Sequence, residues 1–576
     1  MIEDARKIKS GSILEADLCI VGGGSAAISV AMRYLDSGNS IIMIPGGATN
    51  QTALGIDLYR GKVSPSGSHE PLEENRLRMW GGTTTVWGGR CVPFDPIDFE
   101  HRDWIPGSGW PIRHESLDRY WEPACRFSEA GDAAFDARKV FPNTQKEIVR
   151  GFDNDQLVSW PLERWSVPTD YCRRYRPDLD AASNVRVLIH AHAVHLQLSA
   201  DGRTLSHVDA ACRPGAIFRV KARQTVIACG ALENARLLLA AKDIKSEGIG
   251  NEHDLVGRYY QSHRFGVCGH AILSGDLDKF IYDFEKDSEG IYCRRRFWMT
   301  PEAQEQLRIC NVVGFFFRNV SGASEHRNAM VSTVLVAKTL LGGARKGPKR
   351  LLEILRTQRR ELWQHACIIL KDGPSVFGQL SEVAYTRLFR KRRLPILLPP
   401  KKINRFPLFY QTEHAPLYDS RVLLDSNSVD EFGMPRLEAR IQFSEVDHRT
   451  CSTFVRLFKK RFEEAGLGTF DLTEDEERLL DHPDPMDFNS NAHHVGTTRM
   501  SEKPEDGVVD TNCRVHSVDN LYVAGASVFP TSSHANPTLL IVVLGMRLAD
   551  HLKENGRNSM GATTNHARTD QGMRQS

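Results

Sequence analysis

The strongest constraint on the fold lies near the N-terminus, where an apolar stretch runs directly into a run of glycines. Residues 16–27 read ADLCIVGGGSAA, a predicted buried strand, a turn and the start of a helical run. Gly22 permits the tight turn, Gly24 lets the backbone approach a pyrophosphate, and Ala27 allows the helix to pack closely on the strand. Amides at the helix N-terminus attract negative charge. A second strand at 40–44 completes the unit, which predicts dinucleotide binding.

One position departs from this pattern. The acidic residue that usually ends the second strand and holds a ribose hydroxyl would stand near position 45, where this chain has Pro45. The next acid, Asp57, is too far along for the same role. Thr49, Asn50 or Gln51 remains open as a substitute donor or acceptor. The pyrophosphate site is therefore predicted, and the ribose contact is left open.

A second informative stretch, residues 491–548, lies near the C-terminus. His493 stands three residues before Gly496, a short apolar strand is predicted at 521–524, and a loop then carries Asn536-Pro537-Thr538. A neutral imidazole is the side chain best suited to accept a hydroxyl proton near pH 7. An amide suits the task of orienting the same hydroxyl. Oxidation of an alcohol requires such a pair, but by itself the pair is a weak signal. Together with the N-terminal glycine turn, it indicates a cofactor site that both ends of the chain help to build.

Each residue of this pair also has an ordinary structural interpretation. His493 would be a buried histidine with satisfied hydrogen bonds, and Asn536 would begin a turn before a proline. Two other histidines compete for the role of base. His494 would point to the opposite side in an extended chain. His534 lies in a Ser/Thr-rich turn, where a surface histidine is ordinary.

Five ordered motifs give the chain a wider resemblance. They are residues 78–89 (RMWGGTTTVWGG), 225–239 (TVIACGALENARLLL), 255–263 (LVGRYYQSH), 420–422 (SRV) and 433–435 (GMP). Together with the two ends, they make the chain resemble the glucose–methanol–choline family of flavin oxidoreductases, and its sugar- and polyol-oxidising branch in particular. The resemblance covers most of residues 16–265 and 407–552.

The resemblance implies an α/β fold with a discontinuous Rossmann-like FAD-binding domain and a mixed-sheet α+β substrate domain. Residues 1–105, 185–265 and 485–556 are expected to form the first domain. Residues 106–184 and 266–484 are expected to form the second, and 557–576 a disordered tail.

The resemblance also assigns roles in the site. His493 falls on the family's general base, which takes the hydroxyl proton while hydride passes to flavin N5, and Asn536 falls on its second catalytic position. Val86 stands where several members carry a histidine that attaches the flavin, so FAD is expected to bind noncovalently. The residues expected to bind the cofactor are Gly22, Gly24, Ser25, Ala26, Ala27, Gly81, Gly82, Thr83, Trp87, Gly88, Val194, Cys229, Gly230, Gly525, Ala526, Asn536, Pro537 and Thr538.

The function that follows is FAD-dependent oxidation of a CH–OH group of a sugar, polyol or glycoside. Two alternatives stay open: a flavin-containing lyase of the same fold that does no redox chemistry, and a flavin-binding subunit without turnover of its own. The electron acceptor (oxygen, a quinone or a protein) and the oligomeric state are also open.

Composition is that of an ordinary globular enzyme. Of the 576 residues, 41% are hydrophobic and 25% charged, and the formal net charge of +2 implies no general affinity for nucleic acid. The 12 cysteines are scattered, without metal-ligand or disulfide spacing. No export signal is visible in the first 15 residues, and no apolar run is long enough to span a membrane. A cytoplasmic enzyme without a metal is expected.

A basic segment at 342–405 stands out within the predicted substrate domain. It carries Arg345, Lys346, Lys349, Arg350, Arg359, Arg360, Arg390, Lys391, Arg392, Arg393, Lys401 and Lys402. Apolar residues at helical spacing between 351 and 370 indicate helix, and three prolines follow. It is either a helical excursion with a solvated basic face, a docking surface for a redox partner, a lid over an acidic substrate or a membrane-surface attachment.

Overall fold

The computed structural model describes residues 1–316, 332–333, 335–337, 339–340, 348–371, 404–481 and 493–572. Its strands are β1 (Ile2–Asp4), β2 (Ile13–Val21), β3 (Ile41–Ile44), β4 (Gly61–Val63), β5 (Arg90–Cys91), β6 (Leu157–Val158), β7 (Leu162–Trp165), β8 (Val185–Ile189), β9 (His192–Leu198), β10 (Leu205–Ala211), β11 (Ile217–Ile227), β12 (Arg264–Leu273), β13 (Glu285–Lys286), β14 (Tyr292–Arg295), β15 (Phe297–Met299), β16 (Val312–Phe316), β17 (Arg405–Thr412), β18 (Arg421–Val429), β19 (Pro435–Arg440), β20 (Gly468–Asp471) and β21 (Leu521–Val523). Its helices are α1 (Ser25–Tyr34), α2 (Ala53–Asp57), α3 (Pro96–Phe99), α4 (Asp118–Phe127), α5 (Ala137–Val140), α6 (Tyr171–Ala181), α7 (Ala231–Ala240), α8 (Pro301–Leu307), α9 (Pro348–Thr357), α10 (Arg359–Lys371), α11 (Glu445–Glu464), α12 (Glu474–Asp481) and α13 (Thr538–Gly572).

The first sheet has a parallel centre with an antiparallel extension. Its strand order is β1-β8-β3-β2-β11-β10-β9, and β21 pairs with β11. Strands β1, β8, β3, β2, β11 and β21 run parallel, whereas β10 is antiparallel to both of its neighbours. The carboxyl ends of β3, β2, β11 and β21 therefore meet at one edge, which is where open α/β sheets bind ligands.

The glycine run predicted from the sequence lies at this edge. It follows β2, and α1 then leads to β3, as the βαβ pattern predicts. Helix α1 begins at Ser25, so the turn itself is only Gly22–Gly24. Ala26 and Ala27 are buried, and their small side chains allow the first turn of the helix to pack closely on the sheet.

The second sheet, in the order β20-β12-β17-β16-β15-β6, stands apart from the first. Its strand pairs are antiparallel, and α11 lies on it. Phe454, Phe458 and Phe462, at i, i+4 and i+8 on α11, are fully buried against the sheet. Two smaller sheets, β13-β14-β7-β5 and β18-β19-β4, lie beside these two.

The apolar cores divide the chain differently from the predicted domains. Residues of 110–125 and 171–179 pack in the same core as the first sheet, although 106–184 was expected in the substrate domain. Residues 422–441 also join that first core, whereas residues 148–157 pack with the second sheet. The predicted domain boundaries were drawn between consecutive segments of the sequence. The aromatic-rich segment has no periodicity, so its sequence does not indicate which of the two sheets it packs on.

Two other expectations can be compared with the structure. The last helix, α13, continues to Gly572, so residues 557–572 of the predicted disordered tail are helical. A packed helix extends without a new nucleation cost, and no proline interrupts this stretch. Helices α9 and α10 agree with the helix expected within 351–370, and Trp363 and Leu370 are exposed there.

Parts of the sequence predictions lie outside the described residues. They are Arg345, Lys346, Arg390–Arg393, the prolines at 395, 399 and 400, Lys401, Lys402, and positions 491–492. Within the described part of the chain, no helix combines the length and apolarity needed to cross a membrane. All 12 cysteines are free thiols.

Candidate active site

A cavity of about 620 Å³ lies between the carboxyl edge of the first sheet and the strands of the second. Its wall combines the glycine turn, the segments after β3, β11 and β21, and strands β12, β16 and β17. The residues that line it include Gly22, Gly24, Pro45, Gly46, Arg76, Arg78, Val86, Arg90, Cys229, Glu233, Phe265, Arg294, Phe315, Phe409, Gln411, His493, His494 and Asn536.

The glycine turn forms a cradle for an anionic group. A Cβ on Gly22, whose φ is +129°, would come within 2.2 Å of the Ala228 carbonyl oxygen, so this position requires glycine. A Cβ on Gly24 would meet no atom within 4 Å and would instead project into free space. Helices α1 and α7 begin at this wall after Gly24 and Gly230, with no side-chain cap on their first amides. This arrangement fits the pyrophosphate of FAD.

Most of the residues expected to bind the cofactor line this cavity. Those that do are Gly22, Gly24, Ser25, Ala26, Gly82, Thr83, Trp87, Gly88, Cys229, Gly230, Gly525, Ala526, Asn536, Pro537 and Thr538. Ala27, Gly81 and Val194 are not part of the wall. Ala27 is fully buried in the helix–sheet contact, and the Gly81 amide donates to the Gly23 carbonyl. Ala193 lines the cavity in place of Val194, because side chains alternate along β9.

His493 and Asn536 lie together on the cavity wall. Asn536 Nδ2 is 3.3 Å from His493 Nε2, although the two residues are 43 positions apart. The connecting chain runs through β21, whose flanking loops carry the two side chains, as the sequence predicted.

A buried hydrogen-bond chain determines the tautomer of His493. His263 Nε2 lies 3.0 Å from the carbonyl oxygen of Ser532, which only accepts, so this nitrogen carries the proton. In a neutral ring His263 Nδ1 is then an acceptor, and it lies 2.8 Å from His493 Nδ1. His493 Nδ1 must therefore donate, which leaves a lone pair on His493 Nε2 at the cavity. That nitrogen is the one a general base requires.

A second set of contacts orients Asn536. Its Oδ1 accepts from Arg90 Nη1 at 3.0 Å and from Gln411 Nε2 at 3.4 Å. Arg90 Nη1 also donates to Gln411 Oε1 at 2.9 Å, and Gln411 Nε2 donates to the His534 carbonyl at 2.6 Å. Because both donors meet Oδ1, the amide nitrogen of Asn536 must face His493. Arg90 and Gln411 thus hold the amide in the orientation that can donate to an alcohol oxygen.

The electrostatic environment keeps His493 neutral. Burial, with a smaller contribution from the Arg90 guanidinium, lowers the pKa of His493 to about 3. Burial and the neighbouring His493 likewise hold the pKa of His263 well below its ordinary value. Both rings are therefore uncharged at neutral pH, so His493 Nε2 is available as a proton acceptor.

The two competing histidines take other positions. His494 also lines the cavity, but its Nδ1 lies 2.6 Å from the Tyr260 hydroxyl. His534 was expected at the surface and is instead fully buried, with Nε2 2.8 Å from Asp95 Oδ2. Arg296 lies beside the same ring. The Ser/Thr-rich turn is buried because its polar groups form hydrogen bonds with residues from other parts of the chain.

The side of the cavity opposite the glycine turn is aromatic. Phe265 on β12 and Phe315 on β16 flank Phe409 on β17, with ring centroids 5.6 and 5.9 Å from that of Phe409. Burial of such rings favours a ligand with an apolar face.

Charged side chains stand beside these rings. The fully buried Glu163 accepts from Arg90 and Arg294, and both guanidiniums lie over Phe315 at 5.1 and 4.1 Å. This wall offers an apolar surface with fixed polar groups, which is the usual form of a small-molecule site.

Sequence reasoning did not identify the residues that support the catalytic pair. His263 ends one of the five quoted motifs and Arg90 directly follows another, but nothing local indicated their contacts. Gln411, on β17, belongs to none of the five motifs. These side chains meet His493 and Asn536 only because strands from separate parts of the chain converge on one cavity.

Comparisons with known proteins show which proteins this chain is similar to. A family model described as GMC oxidoreductase matches residues 416–545. The C-glycoside 3-oxidase of Arthrobacter globiformis is 29% identical over 137 residues, which are 24% of this chain and 24% of that protein. The 6'''-hydroxyparomomycin C oxidase of Streptomyces lividus is 24% identical over 597 residues, covering 93% of this chain and 92% of that protein.

The match to C-glycoside 3-oxidases thus spans about a quarter of their length. A solved structure of a fungal aryl-alcohol oxidase superposes with a TM-score of 0.53 at 14% identity, covering 94% of this chain and 99% of that one. At this level of identity the likeness shows a shared fold.

Proposed function

We propose, from the premise that this chain belongs to the glucose–methanol–choline oxidoreductase family, that it oxidises a CH–OH group of a sugar, polyol or glycoside to the carbonyl. One observation carries the proposal. His493 Nε2, with its lone pair free for a proton, faces the Asn536 amide at 3.3 Å on the wall of a cavity that also holds the glycine cradle.

Members of this family bind FAD, and the cradle fits its pyrophosphate. Bound FAD supplies the acceptor for the hydride that leaves the substrate carbon. The residues at its site would be the glycine turn, the first amides of α1 and α7, and the segments around Gly82–Gly88 and Gly525–Ala526.

In the proposed mechanism the substrate hydroxyl lies between the two side chains. His493 Nε2 accepts the hydroxyl proton, and Asn536 Nδ2 donates to the same oxygen and so orients the carbon. His263 keeps His493 Nδ1 protonated and its ring fixed. Arg90 and Gln411 hold the Asn536 amide in place, and the aromatic wall excludes water from the reacting group.

FAD is proposed to be held without a covalent bond. Val86, on the cavity wall, has no nucleophilic atom where some relatives carry a linking histidine. Burial raises the pKa of the Cys229 thiol to about 12, so this wall residue stays protonated and unreactive. Denaturation in acid should therefore release all flavin into solution. A tryptic peptide heavier by the mass of FAD would contradict the proposal.

The proposed substrate class has two supports. By their names, the relatives given above are a C-glycoside 3-oxidase and a 6'''-hydroxyparomomycin C oxidase. The cavity wall combines aromatic faces with Arg, Gln and Asn side chains, which suits the apolar faces and the hydroxyls of a sugar ring.

Anaerobic mixing with a panel of sugars, polyols, glycosides and aromatic alcohols tests the proposal. Loss of the visible flavin absorbance on mixing with a carbohydrate is the expected result. Bleaching by aromatic alcohols alone would overturn the substrate class. Release of an aldehyde from a cyanohydrin with unbleached flavin, or no reaction with any compound, would overturn the oxidoreductase assignment.

A further inference from the structure

The missing acid after β3 leaves an open question about the cofactor end of the cavity. Pro45 occupies the expected position, and a Cβ on Gly23 would come within 2.7 Å of Pro45 Cβ, so the proline ring packs tightly on the glycine turn. None of the three polar candidates that follow, Thr49, Asn50 and Gln51, belongs to the described cavity wall. The polar group for a ribose must come from elsewhere.

Glu233 is the one carboxylate among the described residues that line the cavity. It is the third residue of α7, and only 5% of its surface is exposed. Helix α7 starts directly after Gly230, beside the carboxyl end of β11. The carboxylate therefore stands at the same edge of the sheet as the end of β3, although it is reached by a different helix.

Arg78 connects the two places. A Cβ on Gly46, the residue after Pro45, would lie 3.8 Å from Arg78 Cγ and 3.9 Å from its Nε. The same side chain donates from Nη1 to Glu233 Oε2 at 3.0 Å. The Arg78 side chain therefore lies between the Glu233 carboxylate and the residues after β3, where the acid of the usual pattern would stand.

The charges around Glu233 keep it ionised and in place. Burial by itself raises its pKa, but the guanidiniums of Arg236, Arg78 and Arg76 outweigh burial and hold the pKa below its ordinary value. Arg76 donates to Oε1 at 3.4 Å, and Arg236 donates to Oε2 at 3.4 Å. A carboxylate has about four acceptor sites, so these contacts leave capacity for a hydroxyl.

We propose that Glu233 accepts a hydrogen bond from a hydroxyl of the adenosine ribose of FAD, in place of the acid that is absent after β3. The inference rests on the proposed function, since it presumes that FAD occupies the cavity. Oε2 already accepts from Arg78 and Arg236, and Oε1 accepts from Arg76, so the remaining acceptor site lies on Oε1.

The test compares FAD with an analogue whose adenosine lacks both ribose hydroxyls. Apo-protein is titrated with each, and binding is followed by the change in flavin fluorescence. The wild type should bind FAD roughly 10- to 100-fold more tightly than the analogue, the usual range for a hydrogen bond to a charged group. Equal affinity for the two ligands would overturn the inference.

Glu233→Gln and Glu438→Gln make a matched pair for the same titrations. Glu438 is also buried and accepts from Arg440 at 3.0 Å, but it does not line the cavity. Glu233→Gln should shrink the preference for FAD by about fivefold or more, because a neutral amide accepts more weakly. Glu438→Gln should leave the preference unchanged. If Glu233→Gln weakens both ligands equally, Glu233 only neutralises its arginines and the inference fails.

The wild-type comparison needs no variant, so equal affinities for FAD and the analogue would overturn the inference even if Glu233→Gln does not fold. If the proposed function is wrong, the experiments would give a different result. In that case the wild type would bind no FAD, or would bind it without being reduced by any alcohol. Binding of FAD with full loss of discrimination would overturn only the role of Glu233.

Discussion

Replacement of His263 tests whether the hydrogen-bond chain sets the protonation of His493. His263→Leu removes the acceptor for His493 Nδ1 at 2.8 Å and the donor to the Ser532 carbonyl at 3.0 Å. His493 can then carry its proton on Nε2, where it cannot act as a base. Partners that fix the tautomer and orientation of a metal-bound histidine contribute about 10- to 100-fold, and we expect flavin reduction to slow by a factor of the same order here.

The same change has a cost in stability that can be worked from the contacts. Two buried groups lose their partners, and each unpaired group costs about 1–3 kcal/mol. The free energy of unfolding should fall by about 2–6 kcal/mol, with a lower thermal midpoint. The rate of flavin reduction is therefore expressed per bound flavin, which separates the loss of folded protein from the effect on His493.

His263→Asn is the matched control, because its side-chain oxygen can accept from His493 Nδ1. Rates of flavin reduction are measured by anaerobic stopped-flow mixing at saturating substrate. The Asn variant should recover most of the rate that the Leu variant loses. A Leu variant that reduces flavin at the wild-type rate, or an Asn variant as slow as Leu, would refute the assignment of the tautomer.

Three further outcomes are expected. His493→Ala should stay folded and yellow while flavin reduction slows by roughly 10²–10⁴; His494→Ala should cost far less, and the reverse ranking would show the base to be misassigned. Gly24→Val should fold, since φ is −85° and the added side chain points into free space, but it should purify without flavin; normal flavin content would remove the turn from the site. The free energy of unfolding should fall as the pH drops below about 6.5. Buried histidines have lowered pKa values in the folded protein, so the unfolded chain binds protons first. Each of these histidines contributes about 1.4 kcal/mol per pH unit. Those histidines are His263, His414, His493, His494 and His534. Equal thermal midpoints at pH 7.5 and 5.5 would contradict the last expectation.

The structure changes what is expected of His534. The sequence placed this residue at the surface, where an alanine would cost little. In the fold it is fully buried between Asp95 and Arg296, and its removal takes a buried hydrogen-bond partner from each of them, at a cost of about 1–3 kcal/mol for each group. His534→Ala should therefore unfold at a much lower temperature than His494→Ala, a difference that calorimetry would measure.

The sequence by itself determined the local parts of the site. A strand, a glycine turn and a helix follow one another within residues 16–34, so their pattern predicts the cradle without any distant contact. The spacing of His493 and Asn536 around a short strand likewise predicts two side chains that meet. The family resemblance follows from such motifs, because each is a short segment whose chemistry requires particular residues in order.

Only the tertiary structure decided which side chains support these parts. His263 and His493 are 230 positions apart, and Arg90 and Asn536 are 446 apart, yet both pairs are in direct contact. Glu233 reaches the cavity from α7, while the local pattern directed attention to the residues after Pro45. Periodicity and spacing report neighbours along the chain. Contacts between separate strands and helices depend on how two sheets pack, which no local pattern specifies.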